Sequence, residues 1–338
     1  METEKILQSF SVYPLNIENI TTHLWKVKDG NRAYALKESK LSPHAITNWE
    51  NIYKLADYHK LSAVMPVYMT RNGQLYQEHL GKFYYLSPWM EKDQNRGTPP
   101  LITDFYKNIG NIHAKTKQSR NIDKEAFIQE FSAYKQACET LFKELNRTVS
   151  RFEQMHYMSP FELMVLTQYR DLEIVFQVMA KRLNQLVYVA DEEDLIWNTS
   201  ICHGQLSKDH LVYSNNGTQI LNWEQAHYEN ATMDLVRFFR EESLEYDSPS
   251  SDYIEQFKGY IKENELTEKE LQLMTIYLLH PFSYYRVVQE YVKNPKANSM
   301  LVATSQLQRA YRQLIFGLNW SDYVEKEHES LVLEDLDS

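Results

Sequence analysis

Two stretches of this chain hold the side chains whose types and spacing could do chemistry. The first is Ala33-Tyr34-Ala35-Leu36-Lys37, a β-prone run that ends on a lysine. It lies ahead of a helix in which Glu50 is the best-placed carboxylate to pair with that ammonium. The second reads Ile201-Cys202-His203-Gly204-Gln205-Leu206-Ser207-Lys208-Asp209-His210-Leu211 and resumes, after a hairpin, as Ile220-Leu221-Asn222-Trp223-Glu224. Together they offer the ammonium groups of Lys37 and Lys208, two imidazoles, two amides and the carboxylates Asp209 and Glu224. An ammonium steadied by a carboxylate can hold an anionic group, and carboxylates can hold a hard cation or accept a proton. Gln205 is neutral and accepts no proton at physiological pH.

Several chemistries lose their support at once. The 338 residues include only nine glycines, no two closer than Gly73 and Gly81, so GxGxxG and GxxxxGK[ST] are both absent. The histidines show no HExxH or HxH spacing, and Cys138 and Cys202 cannot form a cysteine-based zinc site alone; they read as reduced core thiols. A net charge of −10 argues against nucleic acid as a partner, because little would neutralise a phosphate backbone. No stretch approaches the ~18 apolar residues of a membrane span, and METEKILQSF lacks the basic and apolar regions of a signal peptide, so synthesis in a reducing cytosol is expected. The 24 tyrosines suit either a tyrosine-rich core or protein–protein contact.

The elements that must position these residues divide the chain at about residue 90. Residues 1–90 read as strands around one helix: Leu24 to Val27 and Arg32 to Lys37 flank Asp29-Gly30-Asn31, and Ser42-Pro43 opens a helix to about Tyr58. Strands Val67 to Thr70 and Gln74 to Glu78 are expected to turn at Asn72-Gly73, followed by Phe83 to Leu86 and then Ser87-Pro88. Segment 91–100 reads as a linker. Residues 91–338 read as a helical region, with helices near 104–117 and 124–155 and one from the Ser159-Pro160-Phe161-Glu162 capping box to about Tyr188. Strands Leu211 to Tyr213 and Gln219 to Trp223 form its hairpin. Helices resume at a second capping box, Thr267 with Glu270, and over 302–325, before an acidic, solvated end.

A small strand-rich lobe, a hinge and a large helical lobe with one hairpin resemble the α+β, bilobal protein-kinase-like fold. HGQLSKDHLVYSNNGTQILNWEQAHYENATMDLVRFF resembles the HGD-x-x-x-x-N…DW[EDG] signature of the aminoglycoside phosphotransferase and choline kinase superfamily, and more closely the CotS-type spore-coat kinase-like family with its YutH-type endospore coat-associated members. The resemblance implies that Lys37, held by Glu50, meets ATP phosphates and that the hinge at Trp89 and Met90 takes adenine. It also implies that Gln205 stands at the catalytic base, and that His210 and Asn222 stand at the two magnesium ligands. His203 and Asp234 would brace the loop. All three chemical positions depart from the pattern, and the glycine loop expected at residues 14–24 is missing, so no cofactor is expected. If activity survives, ATP and Mg²⁺ are required, with Asp209 or Glu224 replacing the missing aspartates as base or metal ligand. The resemblance further implies a spore-coat location, other coat proteins as partners, and no membrane insertion. Oligomeric state is left open.

Overall fold

A computed structural model describes residues 2–90, 102–192, 195–214 and 217–329, so the expected 91–100 linker and the acidic end from Glu334 lie outside the described residues. The chain forms two compact units. One comprises Met1–Lys117, Ser200–Glu229 and Lys262–Asn264, the other Gln118–Thr199, Asn230–Ile261 and Glu265–Ser338.

The first unit opens with α1 (Glu2–Ser9), then β1 (Asn16–Thr21), β2 (Leu24–Asp29) and β3 (Arg32–Ser39). Helix α2 (Pro43–Tyr58), β4 (Gln77–His79), β5 (Lys82–Pro88) and α3 (Ile102–Lys115) follow. The five strands make an antiparallel sheet in the order β1-β2-β3-β5-β4. Strand alternation assigns its two faces. Tyr34, Leu36, Tyr84 and Leu86 pack beneath Ile6, Leu7, Phe10 and Val12 of the α1 region. Phe83 and Tyr85 point to the other face, against Ile46 and Trp49 of α2. Lys37 pairs in register with Tyr85 and so shares that second face. Ser42 caps α2 by accepting from the Ala45 amide, with Pro43 at the first helical position, as the sequence predicts.

Two expectations for this sheet change. Helix α1 and strand β1 were not foreseen. The Asn72-Gly73 turn forms, with Gly73 at φ +75° and its N–H donating to the Thr70 carbonyl, but no ladder flanks it. Val67, Leu75 and Tyr76 pack into the α2 cluster instead, and the β4–β5 hairpin turns at Leu80-Gly81, both at positive φ.

The second unit contributes β6 (Gln118–Asn121), α4 (Lys124–Glu153) and α5 (Pro160–Glu192). Tyr169 bonds Asn146 and Lys135 bonds Asn184, which fixes α4 and α5 as an antiparallel hairpin. The predicted capping box closes: the Ser159 amide donates to Glu162 Oε2 at 2.6 Å and the Glu162 amide to Ser159 Oγ at 3.3 Å. Strand β7 (Ile196–Cys202) pairs with β6 over Ile196–Thr199, and its last residues, in the first unit, pair with β10 (His227–Glu229). Between them lies the expected hairpin, β8 (Leu211–Ser214) and β9 (Gly217–Ile220). Met65 N–H donates to the Ile220 carbonyl and Ile220 N–H to the Ala63 carbonyl, stitching β9 to the segment after α2.

The remaining helices are α6 (Ala231–Glu242), α7 (Ser250–Glu255), α8 (Lys258–Glu263), α9 (Glu268–Leu278), α10 (Phe282–Lys293) and α11 (Met300–Val324). The Thr267–Glu270 capping box starts α9 as predicted. Gln168 bonds Gln308 and the buried Arg182 bonds Ser321, so α5 and α11 run in the same direction, with Pro160 and Met300 at one end. The acidic segment expected to be solvated begins as a helical turn: Glu325 pairs with Lys181 and Glu327 with Lys258. Among the described residues, no helix is long and apolar enough to cross a membrane. Both cysteines are free and buried, as expected.

Candidate functional site

The site is assembled by one sheet face and one irregular loop, all within the first unit. Beta alternation aims Lys37 at the α2 side. The loop is shaped by two left-handed residues. Gly204 has φ +80°, and a Cβ there would lie 2.2 Å from the Gln225 carbonyl oxygen, so only glycine lets the two backbones approach. Asn222 sits at φ 65°, ψ 54°, a conformation asparagine tolerates better than most side chains. The fully buried His203 binds the two halves: its Nε2–H donates to the Leu221 carbonyl at 2.7 Å, and its Nδ1 accepts from the Gln205 amide at 3.3 Å. This is the bracing role expected of it.

A single chain of hydrogen bonds then runs to Lys37. His210 Nδ1–H donates to the Gln205 carbonyl at 2.9 Å, which leaves Nε2 as an acceptor. Asn222 Nδ2 donates to that Nε2 at 3.2 Å, so its Oδ1 faces the other way. Lys37 Nζ donates to Oδ1 at 2.5 Å and pairs with Glu224 Oε1 at 2.9 Å. The Tyr85 hydroxyl donates to the same carboxylate oxygen at 3.0 Å. Burial, the field of the neighbouring His203 and the ammonium of Lys37 lower the His210 pKa to about 4, with the Gln205 hydrogen bond and Asp209 opposing, so the ring is neutral at pH 7 and the relay keeps its polarity. Burial, reinforced by Glu224, holds the Tyr53 and Tyr85 hydroxyls protonated well above their ordinary range.

The structure brings Lys37, His210, Asn222, Glu224 and the Gln205 backbone together. Glu50 is not the partner of Lys37: it pairs with Lys54 one turn along α2, at 3.5 Å. The reason is the face α2 presents. Trp49 and Tyr53 stack toward Tyr85 beside the lysine, with ring centroids of 5.0 Å from Trp49 to Tyr85 and 4.7 Å from Trp49 to Tyr53. The Gln205 and Asp209 side chains are exposed. Trp89 follows β5 with its backbone N–H on the Ala33 carbonyl and its ring 4.8 Å from the Lys26 ammonium, and Met90 beside it is half-buried. Asp234 is buried in the first turn of α6, in the second unit. Sequence reading missed Tyr85, Trp49 and Tyr53. Period-two alternation along β5 was the available signal for Tyr85, since it places that residue on the face of Phe83.

These donors do not fit magnesium as they stand. Asn222 Oδ1 and Glu224 Oε1, the oxygens a hard cation would want, both accept from the Lys37 ammonium. The His210 lone pair is used by Asn222, and imidazole is in any case a poor ligand for that ion. The lysine acts as the site's own cation.

No protein-family model matches the chain, and no curated protein matches it. Solved structures do. An aminoglycoside phosphotransferase from Alicyclobacillus acidocaldarius superposes with a TM-score of 0.68 at 13% identity, covering 96% of each chain. The AMP-bound spectinomycin phosphotransferase APH(9)-Ia gives 0.55 at 11%, covering 94% of this chain and 97% of its own. The amicoumacin kinase hAmiN, in complex with AMP-PNP and Ca²⁺, gives 0.51 at 13%, covering 93% of both. The chain therefore has the kinase-like phosphotransferase fold, with a β-sheet N-terminal region and a helical C-terminal region.

Proposed function

We propose that this chain is a pseudokinase, a kinase-like protein that no longer transfers phosphate and serves as a binding or structural component. One observation carries the reading: Lys37 Nζ is held by Asn222 and Glu224, the groups that would have to hold a metal. The base position supports it, because Gln205 has no proton-accepting group. A general base is worth about 10²–10⁴ in rate and bridging metal adds further stabilisation, so losing both leaves little of the usual route. The sequence resemblance to CotS-type proteins, and to the YutH type within them, supports a place in the spore coat, with other coat proteins as partners.

The competing reading is an active small-molecule or protein kinase using Glu224 or Asp209. Glu224 favours it in one respect, being a carboxylate two residues from the metal position. Thermal-shift titration with ATP, with and without Mg²⁺, separates the readings. A ligand at ~100 times its Kd stabilises by about 2.7 kcal/mol. The proposal expects no metal-dependent shift and no ATP turnover; a shift without metal means nucleotide is bound but not used. A Mg²⁺-dependent shift with turnover, abolished in Lys37→Ala and Glu224→Ala, refutes it.

A further inference from the structure

The sheet face that carries Lys37 also carries a trough, and one of the chain's own side chains lies in it. The strand register lays the face out. Lys37 of β3 pairs with Tyr85 of β5, and two residues back Ala35 stands between Lys26 of β2 and Ser87 of β5. Two residues further back, Ala33 accepts from the Trp89 N–H, so Trp89 continues the β5 ladder by one residue. Alternation puts all of these on the face opposite Val27, Leu36 and Leu86, which pack beneath α1. Beyond Lys37, then, β3 offers this face only two methyl groups, while its neighbours offer a lysine and a tryptophan. The middle of the face is low and its flanks are tall. Ala33 and Ala35 are only half-buried, so the trough is not sealed by a packed element.

The Trp89 ring crosses it. Its centroid lies 4.8 Å from the Lys26 ammonium. Strands β2 and β5 are not neighbours: β3 runs between them, which sets their backbones roughly 9–10 Å apart. A contact between their side chains has to pass over β3, and on this face it passes over Ala33 and Ala35. The contact has a cost. Trp89 Nε1–H is shielded from solvent and has no hydrogen-bond partner among the described residues. A buried donor left unpaired is unfavourable, so the ring is kept in place by the cation and by the alanines it covers, not by its polar end. Moving the indole out to water relieves that donor.

We infer that Trp89 is an internal plug, held over Ala33 and Ala35 by Lys26, and that a planar aromatic ligand such as a purine can lie beside Lys37 only when the indole has left the trough. This rests on the kinase-like reading of the site given above and adds how that site is kept shut. The sequence resemblance has Trp89 receive a purine at the hinge; in the geometry its own ring takes the place of one.

The test is calorimetric titration of the full chain with adenosine, without phosphate or metal. The ring must leave before the trough opens, so the apparent Kd is the open-state Kd divided by the fraction open. With the indole out less than about a tenth of the time, Trp89→Ala binds adenosine at least ~10-fold more tightly than the wild type. Lys26→Met keeps the indole and the length of the side chain but removes the ammonium. It tightens binding by a smaller factor, and it reads the plug even where Trp89→Ala lowers the Tm. A Lys26→Met protein that binds adenosine no more tightly than the wild type overturns the inference, and so does a folded Trp89→Ala protein that gains no binding. Adenosine has no phosphoryl group to transfer, so either result leaves the pseudokinase reading standing, and ATP turnover tests that reading separately.

Discussion

Asn222→Asp changes one atom type at the centre of the hydrogen-bond relay and tests the whole arrangement. Aspartate fits the left-handed backbone at φ 65° almost as well as asparagine, so the loop keeps its shape. The amide donor to His210 Nε2, at 3.2 Å, is replaced by a carboxylate oxygen. A unit charge 3.2 Å from an imidazolium is worth about 5 kcal/mol at an effective dielectric of 20. Lys37, 2.5 Å from the other oxygen, already neutralises much of that charge, which leaves the rise of one to three pKa units usual for a close carboxylate. His210 should therefore move from about 4 to roughly 5–7. NMR titration of the histidine rings reads this directly. Stability gives a second readout. In the wild type the folded-state value lies below the unfolded 6.5, so the unfolded chain binds the extra proton and stability falls as pH drops from about 6.5 to 4. Asn222→Asp narrows that window and should lose less stability on acidification. A His210 that titrates unchanged in the variant would mean that the imidazole does not meet residue 222, and the relay would fail with it.

Three more outcomes follow from the same structure. Glu224→Gln leaves the Lys37 ammonium without a carboxylate and should cost about 1–3 kcal/mol in urea unfolding, whereas Glu50→Gln, which alters only an i,i+4 pair between a half-buried glutamate and an exposed lysine, should stay within about 0.5 kcal/mol. Gly204→Ala forces a Cβ to 2.2 Å from the Gln225 carbonyl in a left-handed backbone and should cost more than about 3 kcal/mol or prevent folding, by the same measurement. His280, stacked on Phe282 and bonded to the Tyr134 hydroxyl, is held down to about 4 by burial and by Arg240. Its contribution is therefore also lost between pH 6.5 and 4, and His280→Phe should flatten the fall of Tm with pH over that window.

The parts of the fold legible in the sequence are those whose cause is local. Ser42-Pro43, Ser159-Pro160-Phe161-Glu162 and Thr267 with Glu270 start helices because a side chain and an amide three residues away satisfy each other, and all three caps form. The missed helix α1 has only eight residues, and what stabilises it is the sheet it covers, through Ile6, Leu7 and Phe10. The strand expected at Val67 to Thr70 makes only single backbone bonds, from Tyr68 N–H to the Leu86 carbonyl and from Thr70 N–H to the Gln74 carbonyl, and so forms no ladder. At the candidate site, the motif alignment placed Lys37, His210 and Asn222 well enough that the structure finds them in one hydrogen-bonded chain. It named the wrong partner for the lysine, because that choice is made between residues 185 or more positions apart and depends on which face α2 turns inward.

That misassignment has a physical consequence. In protein kinases the strand lysine is aimed by a glutamate on the helix, so the lysine reports where the helix stands, and activation works by moving it. Here both oxygens that hold Lys37 come from residues 222 and 224, while the helix offers Trp49 and Tyr53, packed by apolar contact. The lysine can be fully ordered with no ion pair to α2. The segment after α2 is also hydrogen-bonded to β9 through Ala63, Met65 and Ile220. A lobe whose lysine is neutralised by residues 222 and 224 does not need α2 to place that ammonium.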